Sequence, residues 1–308
     1  MTGYQQHRVP VRGGELQVGS WTPQDAGEAV VLAVHGITAH HLSWPLVADE
    51  LTAAGISVLA PDLRGRGRSA ELPGPYGMVE HVQDLVAVLN MLAPGTRCVV
   101  AGHSMGGFVA VMLAATRPDL VRGLVLVDGG VPLVLPEGWT VPAAVEAGLG
   151  PAAARLEMTF ADRAEYRRFW QEHPALGPEL TPVVQDYVDY DLRPAGQRWQ
   201  PSCQVAAMAT DSAEQFVAGP VDLAWPAVTA PVTFLRAPRG LQNEPGGLYP
   251  RRVLDPWLAR HPAVRLLEVP DVNHYTITLG PAGARAVAGA ITELAALPEA
   301  EVPSSEVG

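Results

Sequence analysis

The chain has 308 residues, of which 48% are apolar, 17% charged and 6% aromatic, with a formal net charge of −11. That is enough apolar material for one large α/β domain or two small ones. The basic residues are all arginine and form no stripe, which speaks against a nucleic-acid partner. No apolar run approaches the roughly 18–20 residues that cross a bilayer, which speaks against a membrane partner.

The opening residues, Met1 to His7, contain no apolar stretch of signal-peptide type, and a cytoplasmic protein is expected. Two short strands follow, around Gln5–Val11 and Glu15–Trp21, joined by Gly13-Gly14. Ala29–Val34 is a continuous apolar run that ends in His35-Gly36. Runs of this kind are buried on both faces, as in parallel sheets flanked by helices. The same signature returns at Ile56–Ala60, Cys98–Ala101, Leu124–Val127, Val232–Leu235 and Val264–Val269. Helical spacing lies between them: Val79, Val82, Leu85, Val86, Leu89 and Leu92 share one face, and Phe108, Val109, Met112 and Leu113 another. The alternation predicts a doubly wound α/β sheet with its site at the carboxyl ends of the strands.

From Val131 to Ala230 the alternation stops. About a hundred residues separate two buried strands, where 2–6 are usual. Helix-like pieces occur at Ala152–Met158, Arg163–Gln171, Pro182–Tyr190 and Val205–Val217. Much of the aromatic content is here, and a helical cap over the strand ends is expected, most of its aromatics packing together and a few facing a pocket. The core is then 1–130 plus 231–297, the cap 131–230, and the acidic Pro/Ser-rich tail 298–308 is expected to be disordered.

The strongest local signal is Gly102-His103-Ser104-Met105-Gly106-Gly107, after one buried strand and before an apolar helix over Met105–Thr116. Small residues around Ser104 permit a sharp strand-to-helix turn that lifts its hydroxyl clear of the sheet. The helix N-terminus favours negative charge, and the Met105 N–H is placed for a developing oxyanion. Ser104 therefore reads as a nucleophile. Of nine histidines, His274 lies just after the last strand, at the same sheet edge, and reads as its general base. His103 is adjacent to Ser104 but points elsewhere on a tight turn. Adjacent His40 and His41 have no metal-ligand spacing, and Cys98 and Cys203 are far apart, so no metal and no disulfide framework are expected. A second oxyanion donor is expected at the Ile37 N–H, beside Gly36, which allows close approach.

These residues resemble the α/β-hydrolase family in its capped branch, over nearly the whole chain outside the insertion. The likeness rests on His35-Gly36-Ile37, on the loop Pro61 to Ser69, on Gly102–Gly107, on Leu124–Asp128 and on Asn273-His274. It implies an eight-stranded, mostly parallel sheet with helices on both faces, a helical cap after the sixth strand, and no cofactor. The family's usual acid follows the seventh strand, but that turn here reads Ala237-Pro238-Arg239-Gly240-Leu241-Gln242-Asn243-Glu244. Some branches resemble this chain in placing the acid at the end of the sixth strand, which assigns the third triad role to Asp128. Glu244, reaching back from a longer loop, is the alternative, ahead of Asp255 or Asp271.

A serine nucleophile excludes the alkyl-ester chemistry of epoxide hydrolases and haloalkane dehalogenases, because a serine ether is not released. Acyl transfer to water is left, and a carboxylic ester or lactone of an uncharged, fairly apolar small molecule is the expected substrate. Alternatives on the same fold are a cofactor-free haloperoxidase-type enzyme, a thioester or carbon–carbon bond hydrolase, and a non-catalytic ligand receptor.

Overall fold

The computed structural model describes residues 3–298. Nearly all of the tail expected to be disordered therefore lies outside the described residues. The chain opens with the antiparallel hairpin β1 (Gly3–Val11) and β2 (Gly14–Thr22). Then come β3 (Val30–Val34), α1 (Pro45–Ala53), β4 (Ser57–Pro61), α2 (Met78–Leu92), β5 (Cys98–His103), α3 (Met105–Thr116) and β6 (Val121–Val127). The sequence between β6 and the next sheet strand holds α4 (Val141–Glu157), α5 (Arg163–Gln171), α6 (Pro182–Tyr190), β7 (Leu192–Ala195), β8 (Arg198–Pro201), α7 (Val205–Ala213) and α8 (Pro220–Ala224). The chain then completes the sheet with β9 (Val232–Arg236), α9 (Arg251–Arg260) and β10 (Val264–Glu268), and ends in α10 (Thr276–Leu279) and α11 (Pro281–Ala295).

The eight-stranded sheet has the order β1-β2-β4-β3-β5-β6-β9-β10. Only the β1–β2 and β2–β4 pairs are antiparallel. Alternate side chains of the parallel strands enter two separate cores. Leu32, Val100, Leu126 and Phe234 pack towards α2 and α3, while Val31, Val99, Val125 and Leu235 pack towards α1 and α11. Burial on both faces is why these strands are unbroken apolar runs.

The inserted segment has its own core of Phe160, Tyr166, Trp170, Val184, Tyr187 and Val188. Thr140, Asp162 and Thr181 start its helices by accepting bonds from the N–H groups of Ala143, Glu165 and Val184. It differs from the sequence expectation in three places. Its first helix begins at Val141 and runs through Pro151 to Glu157, longer at its start than the Ala152–Met158 piece that periodicity predicts. The piece expected over Val205–Val217 stops at Ala213. The short hairpin β7–β8 lies in a stretch for which the sequence predicts only helix-like pieces; its turn holds Gly196 at φ 63°, a left-handed conformation that favours glycine.

Candidate active site

Ser104 sits between β5 and α3 at φ 52°, ψ −123°. A non-glycine residue in that region stores strain and needs neighbours that hold it there. Its own N–H donates to the Val127 carbonyl at 3.0 Å, and its carbonyl accepts from the Gly107 N–H at 2.9 Å. A Cβ on Gly106 would lie 2.1 Å from the Val34 carbonyl oxygen, so α3 approaches β3 this closely only because position 106 has no side chain. The Ser104 side chain is thereby presented to a cavity of about 650 Å³, within the usual size for small-molecule sites.

His274 also lines the cavity, and is otherwise buried. Its Nδ1–H donates to Asp128 Oδ2 at 2.7 Å, which leaves Nε2 without a partner among the described residues. Asp128 directly follows β6, is fully buried and lies at φ 48°. Its other oxygen accepts from the Ala237 N–H at 3.1 Å, so the carboxylate is fixed from both sides. Glu244 lies on the cavity wall, but its carboxylate accepts from the Gln242 N–H at 2.7 Å and makes no bond to His274. Asp255 pairs with Arg251 at 2.8 Å. Arg239, at the position where the family usually has its acid, donates to the Asp271 carbonyl at 2.9 Å.

The Ile37 and Met105 N–H groups carry no hydrogen bond among the described residues. Ile37 lines the cavity; the Met105 side chain is fully buried, at the start of α3. A Cβ on Gly36 would stand 3.2 Å from the Ser104 Cβ, so the loop carrying Ile37 runs directly beside the serine. His35 secures that loop. Its Nδ1–H donates to the Gly36 carbonyl at 2.7 Å and its Nε2 accepts from the Leu63 N–H at 2.9 Å. Burial, the largest influence, pushes its pKa down to about 3, in keeping with a neutral ring used as a fixed link.

Sequence reasoning missed Arg66. Its guanidinium is fully buried and donates from Nε to the Ile37 carbonyl at 2.9 Å, and from Nη1 to the Arg64 carbonyl at 2.9 Å. Nη1 also lies 2.6 Å from Asp211 Oδ2 on α7, and Nη2 is 3.7 Å from the Met105 sulfur. One side chain thus touches both residues expected to form the oxyanion hole and ties them to the inserted segment. Arg64, in contrast, pairs with Asp84 through two bonds of 2.8 and 3.0 Å and has a structural role.

The other histidines have structural partners. His103 Nε2–H donates to the His274 carbonyl at 2.8 Å, holding the loop that carries the imidazole. His40 donates to the Tyr187 carbonyl at 3.0 Å and His41 to Asp62 at 2.7 Å. Among the described residues no three His, Cys, Asp or Glu side chains are grouped to hold a metal ion, and no helix is long and apolar enough to cross a membrane.

Residues 30–288 match the Alpha/beta hydrolase family, and the chain belongs to it. It is similar to lipase LipV of Mycobacterium tuberculosis (strain ATCC 25618 / H37Rv), with 41% identity over 149 residues, 46% of this chain and 54% of that protein. It is also similar to esterase Rv0045c of the same organism, with 42% identity over 99 residues, 32% of each chain. The chain therefore spans about half the length of the first of these relatives and a third of the second. Among solved structures, the thioesterase domain from the curacin biosynthetic pathway superposes with a TM-score of 0.72 at 22% identity, covering 94% of this chain and 99% of that one. That likeness concerns the fold.

Proposed function

We propose that the protein is a serine hydrolase that cleaves a carboxylic ester or lactone with a largely apolar body, through an acyl-enzyme on Ser104. The observation that carries this reading is the 2.7 Å bond from His274 to Asp128, which leaves His274 Nε2 free to act as base in the cavity that Ser104 lines. Ser104 Oγ attacks the carbonyl carbon while His274 Nε2 takes its proton, and Asp128 holds the tautomer and stabilises the imidazolium. The Ile37 and Met105 N–H groups receive the oxyanion, and need give up no other bond to do so. The intermediate collapses, His274 protonates the departing alcohol, and a water activated by His274 then releases the acid. The inserted segment acts as a cap: Leu133, Phe169, Trp170, Tyr187 and Phe216 supply apolar wall.

The relatives named lipase and esterase support an ester over other acyl substrates. The test is turnover of short p-nitrophenyl esters together with labelling by a fluorophosphonate probe, in wild type and Ser104→Ala. Labelling and turnover that both vanish in the variant are expected. An unlabelled, inactive wild type would point to a ligand receptor, and turnover needing halide and peroxide to a haloperoxidase-type reaction.

A further inference from the structure

The cavity beside Ser104 is not uniformly apolar. Arg155, on α4, lines it and is only 4% exposed. All of its hydrogen bonds run through one nitrogen: Nη1 donates to Asp191 Oδ2 at 2.7 Å and to the Tyr166 hydroxyl. The Nε–H and both Nη2–H groups have no partner among the described residues. Neither nitrogen is among the sealed, unpaired polar atoms of the interior, so this side of the guanidinium opens to the cavity. Its plane is backed by Trp170, with Cζ 5.1 Å from the ring centroid.

Asp191 cannot satisfy the rest of the fork. Its Oδ2 also accepts from the Tyr166 hydroxyl at 2.5 Å, and its Oδ1 accepts from the Ser202 hydroxyl at 2.9 Å and the Ser202 N–H at 3.2 Å. That carboxylate is occupied by four donors, and three arginine donors are left facing the substrate space. Unpaired donors of a largely buried cation carry a desolvation cost that an incoming acceptor relieves. A carboxylate is the acceptor whose two oxygens match adjacent guanidinium N–H groups, and such pairs are short and strong. The two carboxylates on the cavity wall, Glu172 and Glu244, are both exposed and lie where the cavity meets solvent, whereas Arg155 is inside.

We infer that the substrate of this site carries a carboxylate at the far end of its apolar body, and that Arg155 is the specificity-determining residue that receives it. The inference rests on the serine-hydrolase reading and amends the expectation of an uncharged substrate at one point. The hydrolysed bond is still the ester; the second, ionised carboxylate is held and not altered.

The experiment compares matched pairs on the whole chain. One pair places the charge on the acyl side, p-nitrophenyl hemiadipate against p-nitrophenyl hexanoate. The other places it on the alcohol side, 4-carboxybenzyl pentanoate against benzyl pentanoate. In at least one pair the anionic ester is expected to have a kcat/KM about 10-fold or more above its neutral partner, mostly through KM. Arg155→Met should erase that preference and Arg155→Lys should restore part of it, since an ammonium keeps the charge without the fork. A neutral preference in both pairs overturns the inference, as does a preference that survives Arg155→Met. Where Arg155→Met fails to fold, Arg155→Lys carries the test: an anionic preference undiminished in that variant overturns the assignment to Arg155, and a wild type without the preference overturns the inference with no variant needed. Fluorophosphonate labelling of Ser104 is run alongside. Labelled enzyme with no anionic preference sinks the Arg155 assignment alone, whereas absent labelling and turnover sink the hydrolase reading beneath it.

Discussion

His274 Nδ1 stands 2.7 Å from Asp128 Oδ2, so the carboxylate that orients this imidazole comes from the end of β6 and not from the loop after β9. The two strands are neighbours, and Asp128 donates its own N–H to the Leu235 carbonyl of β9 at 2.8 Å. Both strand ends therefore open on the same edge, and an acid on either lies near the histidine loop. Asp128→Asn keeps the volume but no longer favours the required tautomer. It should lower ester turnover by roughly three to four orders of magnitude with the fold retained. Glu244→Gln should change turnover only a few-fold, because its carboxylate serves the Gln242 N–H. Steady-state kinetics on both variants check the ranking; the reverse order would move the role to Glu244.

Ser104→Ala should lose at least several orders of magnitude in turnover, leaving what binding and oxyanion contacts alone supply. The melting temperature should hold or rise, because the strain at φ 52° belongs to the backbone and alanine bears it no worse. A variant that retains normal turnover removes Ser104 from the mechanism.

Arg66 joins the Ile37 carbonyl, the Met105 sulfur and Asp211, and so should matter twice. Arg66→Met leaves Asp211 buried without its guanidinium partner, which typically costs about 3–5 kcal/mol. The loss is to be read by urea unfolding. Removing the charge too, in Arg66→Met with Asp211→Asn, should recover part of that stability, because an amide can still serve the Gly77 N–H and the His81 ring that Asp211 also bonds. It should not recover kcat, since the Ile37 carbonyl still lacks its donor. If the double variant regains both, Arg66 is only a structural ion pair.

Much of this architecture was legible because one physical cause left one clear mark. Parallel strands covered on both faces must be apolar almost throughout, and each of β3 to β6 and β9 stands out as such a run, whereas the edge strand β10, Val264–Glu268, is only partly buried and carries two charges. The turn at Ser104 was legible for a similar reason, since only small residues survive its close approaches. Arg66 and Arg155 were not. Their partners Asp211 and Asp191 lie 145 and 36 positions along the chain, in a segment whose packing has no sequence period. The hairpin β7–β8 is only four residues per strand, too short to set up an alternation.

The buried histidines make stability depend on pH in a definite direction. His35 is pushed down to about 3 and His40 to about 4, and His103 lies well below the ordinary 6.5; burial is the largest cause in each. The folded state keeps all three rings neutral while the unfolded chain protonates them near 6.5, so between these values the unfolded state binds more protons. Their contribution is therefore complete above about 6.5 and is lost as pH falls from there towards 4 and 3, at about 1.4 kcal/mol per pH unit for each ring. The lowered pKa of Asp211, about 2, acts only further down; burial opposes that shift, and the charge of Arg66 leads the influences that outweigh it. Its contribution is present above the usual carboxylate range and lost below it. Urea midpoints at pH 7.5, 6.5 and 5.5 should consequently fall, most steeply over the last step. His40→Gln, which keeps a donor for the Tyr187 carbonyl, should flatten the slope by roughly one ring's share. A midpoint that does not move between pH 7.5 and 5.5 would mean that these rings are protonated in the folded protein, and the fixed neutral link from His35 to the Ile37 loop would have to be abandoned.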